Sequence, residues 1–120
     1  MKNNLKEQLK NELDKYLQKK VEFSPFYPGM NILISDLYKE QLEDALELIK
    51  KQTDSDANNF KLYLDTIIIN LHTKVKKYKK SIYFDDENIK DIQNQGYTIP
   101  LYIDEKEKVY VLLGLINSQL

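Results

Sequence analysis

The sequence predicts an α+β domain, in which an N-terminal amphipathic helix precedes a β-α-α-β-β-β order with an antiparallel C-terminal meander packed on an αα-hairpin. Three observations predict this class. Apolar residues recur at helical spacing in three segments, and they alternate with polar residues in a short stretch around Ile32. Two further alternating runs in the last quarter of the chain flank a short charged break, which is typical of an antiparallel hairpin.

The N-terminal segment 2–20 carries one narrow apolar stripe between lysines and glutamates. Its members are Leu5, Leu9, Leu13, Tyr16 and Leu17. Such a helix packs either on its own domain or against another chain. Two prolines and a glycine in the segment 24–29 end it. We therefore divide the chain into a helical extension with its linker, residues 1–29, and a main domain, residues 30–120.

The main domain begins with a strand at 30–34, followed by two helices. Ser35 is a suitable N-cap for a helix that runs to about Lys51, and the segment 53–56 ends this helix and caps the next. An αα-hairpin of this kind must cover the face of a sheet. The broad apolar face of the second helix comprises Phe60, Leu64, Ile67, Ile68, Leu71 and Val75.

The rest of that sheet comes from the last third of the chain. We predict a short strand at 81–84, and then a turn or short helical segment at 85–95 in which Ile89 and Ile92 are packed. The C-terminal hairpin follows.

In both apolar runs of this hairpin the alternating apolar residues occupy odd-numbered positions. The pattern predicts that Ile103 faces Val109 and that Leu101 faces Val111, across a loop with an odd number of residues. In this register all apolar residues of the hairpin lie on one face, against the second helix of the αα-hairpin.

Composition excludes several classes of function. Eighteen lysines and nineteen acidic residues leave a net charge of −1, which argues against nucleic-acid binding driven by total charge. The chain contains no arginine, so bidentate guanidinium contacts to phosphate are excluded. The absence of cysteine excludes disulfides and thiolate zinc sites and fits the cytoplasm. No apolar run approaches the ~20 residues of a membrane span, so we expect a cytoplasmic protein without cofactor, metal or membrane contact.

Five segments follow one another in the main domain: the strand ILIS (32–35), the acidic helix LEDALELI (42–49), the helix 60–71, the run GYTIPLYID (96–104) and the apolar residues 109–115. With these segments the chain from Asn31 to about Asn117 resembles the RelE/ParE superfamily of toxins from bacterial type II toxin–antitoxin systems. The first three segments are similar to the first three elements of that family, the run 96–104 resembles its third strand, and residues 109–115 resemble its last strand. Thr98 stands where the family usually has arginine.

The resemblance implies a toxin that is neutralised by a cognate antitoxin, whose helix and strand wrap its surface. RelE-like toxins cleave ribosome-bound mRNA with basic side chains, whereas ParE-like toxins poison DNA gyrase by binding it and need no catalytic residues of their own. Because this chain lacks arginine, we favour the ParE-like branch, with DNA gyrase as the target. The alternatives are a RelE-like mRNA endonuclease acting at the ribosome and a non-toxic interaction module on the same scaffold.

The expected partner-binding surface combines lysines at a helix end with tyrosines, which suits an acidic protein surface or phosphate. Lysines at this place also complement the helix dipole without any partner. In the predicted register Tyr102 and Tyr110 lie opposite each other on the outer face of the hairpin. The surface comprises Lys74, Lys76, Lys77, Tyr78, Lys79, Lys80, Tyr83, Tyr102 and Tyr110.

Two further expectations concern the alternatives. If the protein is an endonuclease, its catalytic candidates are Lys77, Lys79 and Lys80 with Tyr97 or Tyr102. The lone His72 is expected to be a partly buried helix residue, since no second histidine or cysteine accompanies it. The leucines of the N-terminal helix become buried either by packing on their own domain or in a homodimer through this helix.

Overall fold

The structure is a computed structural model that describes residues 4–118. Residues 2–3 of the predicted helix 2–20 and residues 119–120 of the predicted domain 30–120 lie outside the described residues. The described residues form an α+β domain, as predicted, with four α-helices and one mixed sheet. The elements are α1 (Asn4–Leu17), β1 (Ser24–Pro25), β2 (Ile32–Ile34), α2 (Asp36–Lys50), α3 (Asp54–Ile69), α4 (Leu71–Lys74), a 3-10 turn (Val75–Lys77), β3 (Lys79–Lys80), β4 (Ile89–Asn94), β5 (Tyr97–Asp104), β6 (Val109–Leu112) and β7 (Ile116–Asn117).

The sheet has the strand order β1-β2-β6-β5-β4-β3, and β7 pairs with the start of β5. Strand β2 runs parallel to β6, and every other pairing between described strands is antiparallel. Strands β4, β5 and β6 thus form an antiparallel meander, and its last strand returns to lie beside β2. Within residues 4–118 no helix combines the length and the apolar character that crossing a membrane requires.

Side-chain caps begin the two long helices of the main domain. The Ser35 hydroxyl accepts a 3.0 Å hydrogen bond from the backbone N–H of Tyr38, and the Thr53 hydroxyl accepts a 2.9 Å bond from the N–H of Asp56. Each cap satisfies a backbone donor that the first turn of a helix leaves free. The predicted starts of both helices are confirmed.

The sheet is buried on both faces. On one face α2 and α3 cover the main core, to which the sheet contributes Ile99, Leu101 and Leu112. On the other face α1 covers a second core, the α1-side core, which contains Ile89 and Val111. Neighbouring residues such as Val111 and Leu112 belong to different cores because successive side chains of a strand point to opposite faces. The domain therefore has three layers: α1, the sheet, and the α2–α3 hairpin.

Helix α1 packs on the sheet of its own chain. Leu9 and Leu13 are buried in the α1-side core, Leu5 and Tyr16 are partly buried there, and Leu17 is 50% exposed. Of the two arrangements that the stripe allows, packing within the domain is therefore the one observed. The proline- and glycine-containing segment that follows α1 includes the edge strand β1.

The predicted register of the C-terminal hairpin is wrong by one residue. Ile103 pairs with Tyr110 and Leu101 pairs with Leu112, across a loop of even length at 105–108. Alternation of apolar residues determines a register only when one face of the hairpin is buried, but here α1 covers one face and the α2–α3 hairpin covers the other. The residues that lie on the α1 side instead of the predicted α3 side are Val109, Val111 and Leu113.

The segment between Lys79 and Asn94 also differs from the prediction. The strand expected at 81–84 lies instead at Lys79–Lys80, and the segment 85–95 contains β4 rather than a turn or a short helix. Ile89 and Ile92 are both buried, as expected, but on opposite faces of the sheet.

The second helix of the main domain is shorter than predicted. It ends at Ile69, because Asn70 leaves helical geometry with φ −96° and ψ 15°, and α4 follows as a separate turn. The face expected to be continuous through Val75 is therefore interrupted, although Leu71 is still buried in the main core.

An irregular segment, residues 113–115, joins the last two strands and contacts α2. Between β6 and β7 the Gln41 side chain accepts a 2.7 Å hydrogen bond from the N–H of Leu115. The Ser35 hydroxyl donates a 2.7 Å bond to the carbonyl of Leu113. These two α2-side groups satisfy backbone atoms that lie outside the strands.

Candidate functional site

The lysine-rich segment 74–80 leaves the end of the helical layer and becomes the edge strand β3. Val75 and Tyr78 are half-buried against the main core and fix the path of the segment, while its lysines remain exposed. The N–H of Tyr78 closes the turn with a 3.3 Å hydrogen bond to the carbonyl of Val75. The exposed lysines are Lys74, Lys76, Lys77, Lys79 and Lys80.

One of these lysines is neutralised within the chain. The ammonium group of Lys80 lies 2.8 Å from the carboxylate of Asp85 and 3.8 Å from that of Glu87. The hydrogen bond and charge of Asp85 raise the pKa of Lys80, and Lys80 lowers the pKa of Asp85. Within residues 4–118 the other four lysines of the segment make no ion pair. These four therefore carry the net positive charge of this edge.

The predicted tyrosine pair on the hairpin is not formed. Tyr102 pairs with Val111 and Tyr110 pairs with Ile103, so the two tyrosines lie on opposite faces of the sheet. Tyr102 packs edge-to-face on Tyr16 of α1, with 5.9 Å between ring centroids, and Tyr110 packs against the main core. The expected pair was wrong because it depended on the hairpin register.

Two other predicted tyrosines are also partly or fully withdrawn from solvent. Tyr83 is half-buried against the α1-side core, and burial, with the charge of Asp91, raises its pKa. Tyr97 is buried and packs on Phe60, with 5.1 Å between ring centroids. Tyr97 and Tyr102 face different cores, so the structure does not place both beside one set of lysines. His72, expected to be partly buried, is exposed on α4.

A surface groove of about 510 Å³ lies between the 3-10 turn, the start of β4 and the β5–β6 loop. It brings together two predicted residues, Lys76 and Tyr110. Its apolar part is formed by Val75, Ile103, Val109 and Tyr110, and both signs of charge surround that part. The charged lining residues are Lys76, Lys90, Lys108, Glu87, Asp104 and Glu105.

Sequence reasoning missed most of this groove. Lys90, Ile103 and Lys108 line it because Ile103 pairs with Tyr110 and β4 runs beside β5, and both facts depend on strand pairing. The one local signal in the sequence is the cluster of lysines around Val75.

The groove and the lysine segment suit binding better than bond cleavage. Salt bridges and apolar contact at one surface are the components of a protein interface. General acid–base catalysis needs a group that changes protonation near neutral pH within reach of a second polar group. The titratable groups of the lysine-rich segment are its lysines and Tyr78, and burial raises the pKa of Tyr78 further from neutrality.

No protein-family model matches the chain, and no curated protein sequence matches it.

Proposed function

We propose that the protein is the toxin of a type II toxin–antitoxin pair, of the ParE-like branch, which acts by binding a protein target such as DNA gyrase. The observation that carries the proposal is the order and pairing of the elements. Strand β2 and helices α2 and α3 lead into the antiparallel strands β4, β5 and β6, and β6 returns beside β2. This order agrees with the resemblance in sequence between residues 31–117 and RelE/ParE toxins.

The distribution of charge supports binding as the mode of action. Lys74, Lys76, Lys77 and Lys79 are exposed without an ion-pair partner among the described residues, beside a groove with an apolar part. An acidic protein surface would compensate this charge and gain contact area in the groove. An antitoxin that neutralises the toxin would cover the same region.

Expression in a bacterial host tests the proposed activity. We expect growth arrest accompanied by an SOS response, because poisoned gyrase leaves DNA breaks, and we expect inhibition of supercoiling by purified gyrase. Arrest with cleavage of ribosome-bound mRNA would instead favour the endonuclease, and unimpeded growth would contradict toxicity.

A matched pair of variants tests the proposed surface. Replacement of Lys74, Lys76, Lys77 and Lys79 by alanine is expected to abolish growth arrest. It is also expected to weaken binding to gyrase, measured by inhibition of supercoiling, at least tenfold, which corresponds to about 1.4 kcal/mol of binding free energy. The control replaces four exposed lysines elsewhere, Lys6, Lys10, Lys50 and Lys51, and so removes the same total charge.

Thermal melts by circular dichroism establish that both variants are folded. If the two variants lose activity equally, total charge rather than the lysine segment is responsible, and the assignment of the surface is wrong.

A further inference from the structure

Helix α3 carries a second apolar stripe, on the side away from the sheet. Leu62 is 63% exposed and Ile69 is 45% exposed on this stripe, whereas Tyr63, which is 61% exposed, follows Leu62 directly and lies beside the stripe. The opposite side of α3 is buried in the main core. A helix at the surface of a domain ordinarily has one apolar face and one polar face, so the outer side of α3 is apolar beyond what packing of this chain requires.

The residues along the outer side follow a regular spacing. They are separated alternately by four and three residues, which is the spacing at which one helix packs lengthwise on another. The large apolar pair Leu62 and Ile69 lies in the middle, and small polar residues lie on either side of it. In order, the seam comprises Ser55, Asn59, Leu62, Thr66 and Ile69 on α3 and, beyond the bend at Asn70, Thr73 on α4.

Charge is distributed unevenly along this seam. Asp54 and Asp56 stand in the first turn of α3, whereas Lys74 and Lys76 follow its end, in α4 and the 3-10 turn. Two such helices in antiparallel orientation place the acidic start of each beside the basic end of the other. Antiparallel helices also oppose their macrodipoles favourably. A parallel pair would instead bring acid to acid and lysine to lysine.

We infer that the outer seam of α3 binds the same seam of a second copy of this chain, antiparallel and around a two-fold axis. A two-fold contact requires a self-complementary surface, and the combination of a central apolar pair with opposite charges at the two ends is self-complementary. The net charge of −1 adds little repulsion between copies. This dimer is a property beyond the proposed toxicity, and because it uses Lys74 and Lys76 of the proposed target-binding surface, the two contacts compete for these lysines.

Sedimentation equilibrium of the full chain tests the inference at protein concentrations from roughly 1 μM to 1 mM. This range covers the dissociation constants of a weak dimer. We expect a concentration-dependent dimer. Leu62→Glu is expected to weaken it at least tenfold, because two carboxylates meet at the centre of the seam. The matched control is Leu48→Glu, which introduces the same charge at a 50% exposed leucine of α2, outside the seam, and is expected to behave as the unmodified chain does.

A charge exchange tests the antiparallel orientation. Asp54→Lys alone and Lys74→Asp alone each place like charges together at both ends of the dimer, so each variant is expected to be mainly monomeric. An equimolar mixture of the two variants is expected to form a heterodimer, since each end then pairs a lysine with an aspartate. Thermal melts by circular dichroism check the fold, because Asp54→Lys also removes a favourable acid from the start of α3.

The inference is overturned if the unmodified chain is monomeric throughout the concentration range. It is also overturned if a dimer forms but Leu62→Glu leaves it unchanged, since the contact then lies on another surface, such as α1. Failure of the mixture to dimerise, with both variants folded, would reject the antiparallel orientation.

Discussion

At the scale of single residues, Gly114 is a position where side chains of α1 and α2 closely approach the irregular segment between β6 and β7. A Cβ atom there would lie 2.8 Å from the side-chain oxygen of Gln41 and 2.8 Å from a methyl carbon of Leu9. The close approach lets Gln41 reach the N–H of Leu115. A side chain of any size at position 114 therefore disturbs both layers at once.

Gly114→Ala is expected to lower the free energy of unfolding by about 1–3 kcal/mol, the usual cost of overpacking a core. Urea denaturation measures the change. In a background of Gln41→Ala the cost of Gly114→Ala should be smaller, because one of the two clashing atoms is gone. Equal costs in both backgrounds would show that Gln41 is not the obstacle.

A second residue pair makes the stability of the domain dependent on pH. The hydroxyl of Tyr16 donates a hydrogen bond to the carboxylate of Asp104. Partial burial opposes ionisation of Asp104, but this bond and the N–H groups of Glu107 and Lys106 together hold its pKa below the usual range. A carboxyl with a depressed pKa stabilises the fold above its unfolded-state pKa, and this contribution is lost as the pH falls through its folded-state pKa.

Tyr16→Phe is therefore expected to lower the free energy of unfolding by about 1 kcal/mol at neutral pH. Below about pH 4 the difference from the unmodified chain should shrink, because protonated Asp104 no longer attracts the hydroxyl as strongly. Urea denaturation of both proteins at neutral and acid pH gives the comparison. A difference that is the same at both pH values would mean that the bond to Asp104 contributes nothing specific.

At the scale of elements, α1 is a layer of the domain and covers the α1-side core on one face of the sheet. Leu9→Ala is expected to lower the free energy of unfolding by about 2–5 kcal/mol, because Leu9 is completely buried. Leu17 belongs to the same predicted stripe but is half exposed, so Leu17→Ala should change stability by only about 0.5 kcal/mol. Chemical denaturation of the two variants compares them directly. Similar small effects of both would mean that α1 is only loosely attached.

The helices were predictable because their signals are local. Ser35 and Thr53 cap α2 and α3 in the positions where the sequence indicates them, and the apolar spacing of both helices persists over several turns. Strand β4 was missed because its apolar residues Ile89 and Ile92 do not alternate. They face different cores, and a strand that is buried on both faces loses the period of two on which the prediction relies.

Gly96, directly before the predicted run that starts at Tyr97, is a local signal for β4, because glycine tolerates the positive φ of a tight turn. In the structure Gln95 and Gly96 have φ of 54° and 82° and form the two-residue turn between β4 and β5. Such a turn before Tyr97 is typical of a hairpin. It indicates that another strand precedes residue 95.

At the scale of the whole molecule, the exposed part of the candidate site was predictable and the packed part was not. A cluster of lysines is excluded from any core by the cost of burying charge, so their exposure follows from composition. Whether Tyr102 and Tyr110 share a face depends on the pairing of two strands, and that pairing depends on layers formed by distant residues. The groove beside Lys76 has the same origin, since three separate elements line it.

The parallel pairing of β2 with β6 has a consequence for how the chain acquires its fold during synthesis. The bond from Ser35 to the carbonyl of Leu113 joins residues 78 positions apart, so β2 leaves the ribosome long before the strand beside which it belongs. Until β6 is made, β2 has only the two residues of β1 as a partner strand. Contacts between such distant segments form slowly. The nascent chain therefore passes through a period in which its helices are complete and its sheet is still open at the centre, where chaperones and proteases have access to it.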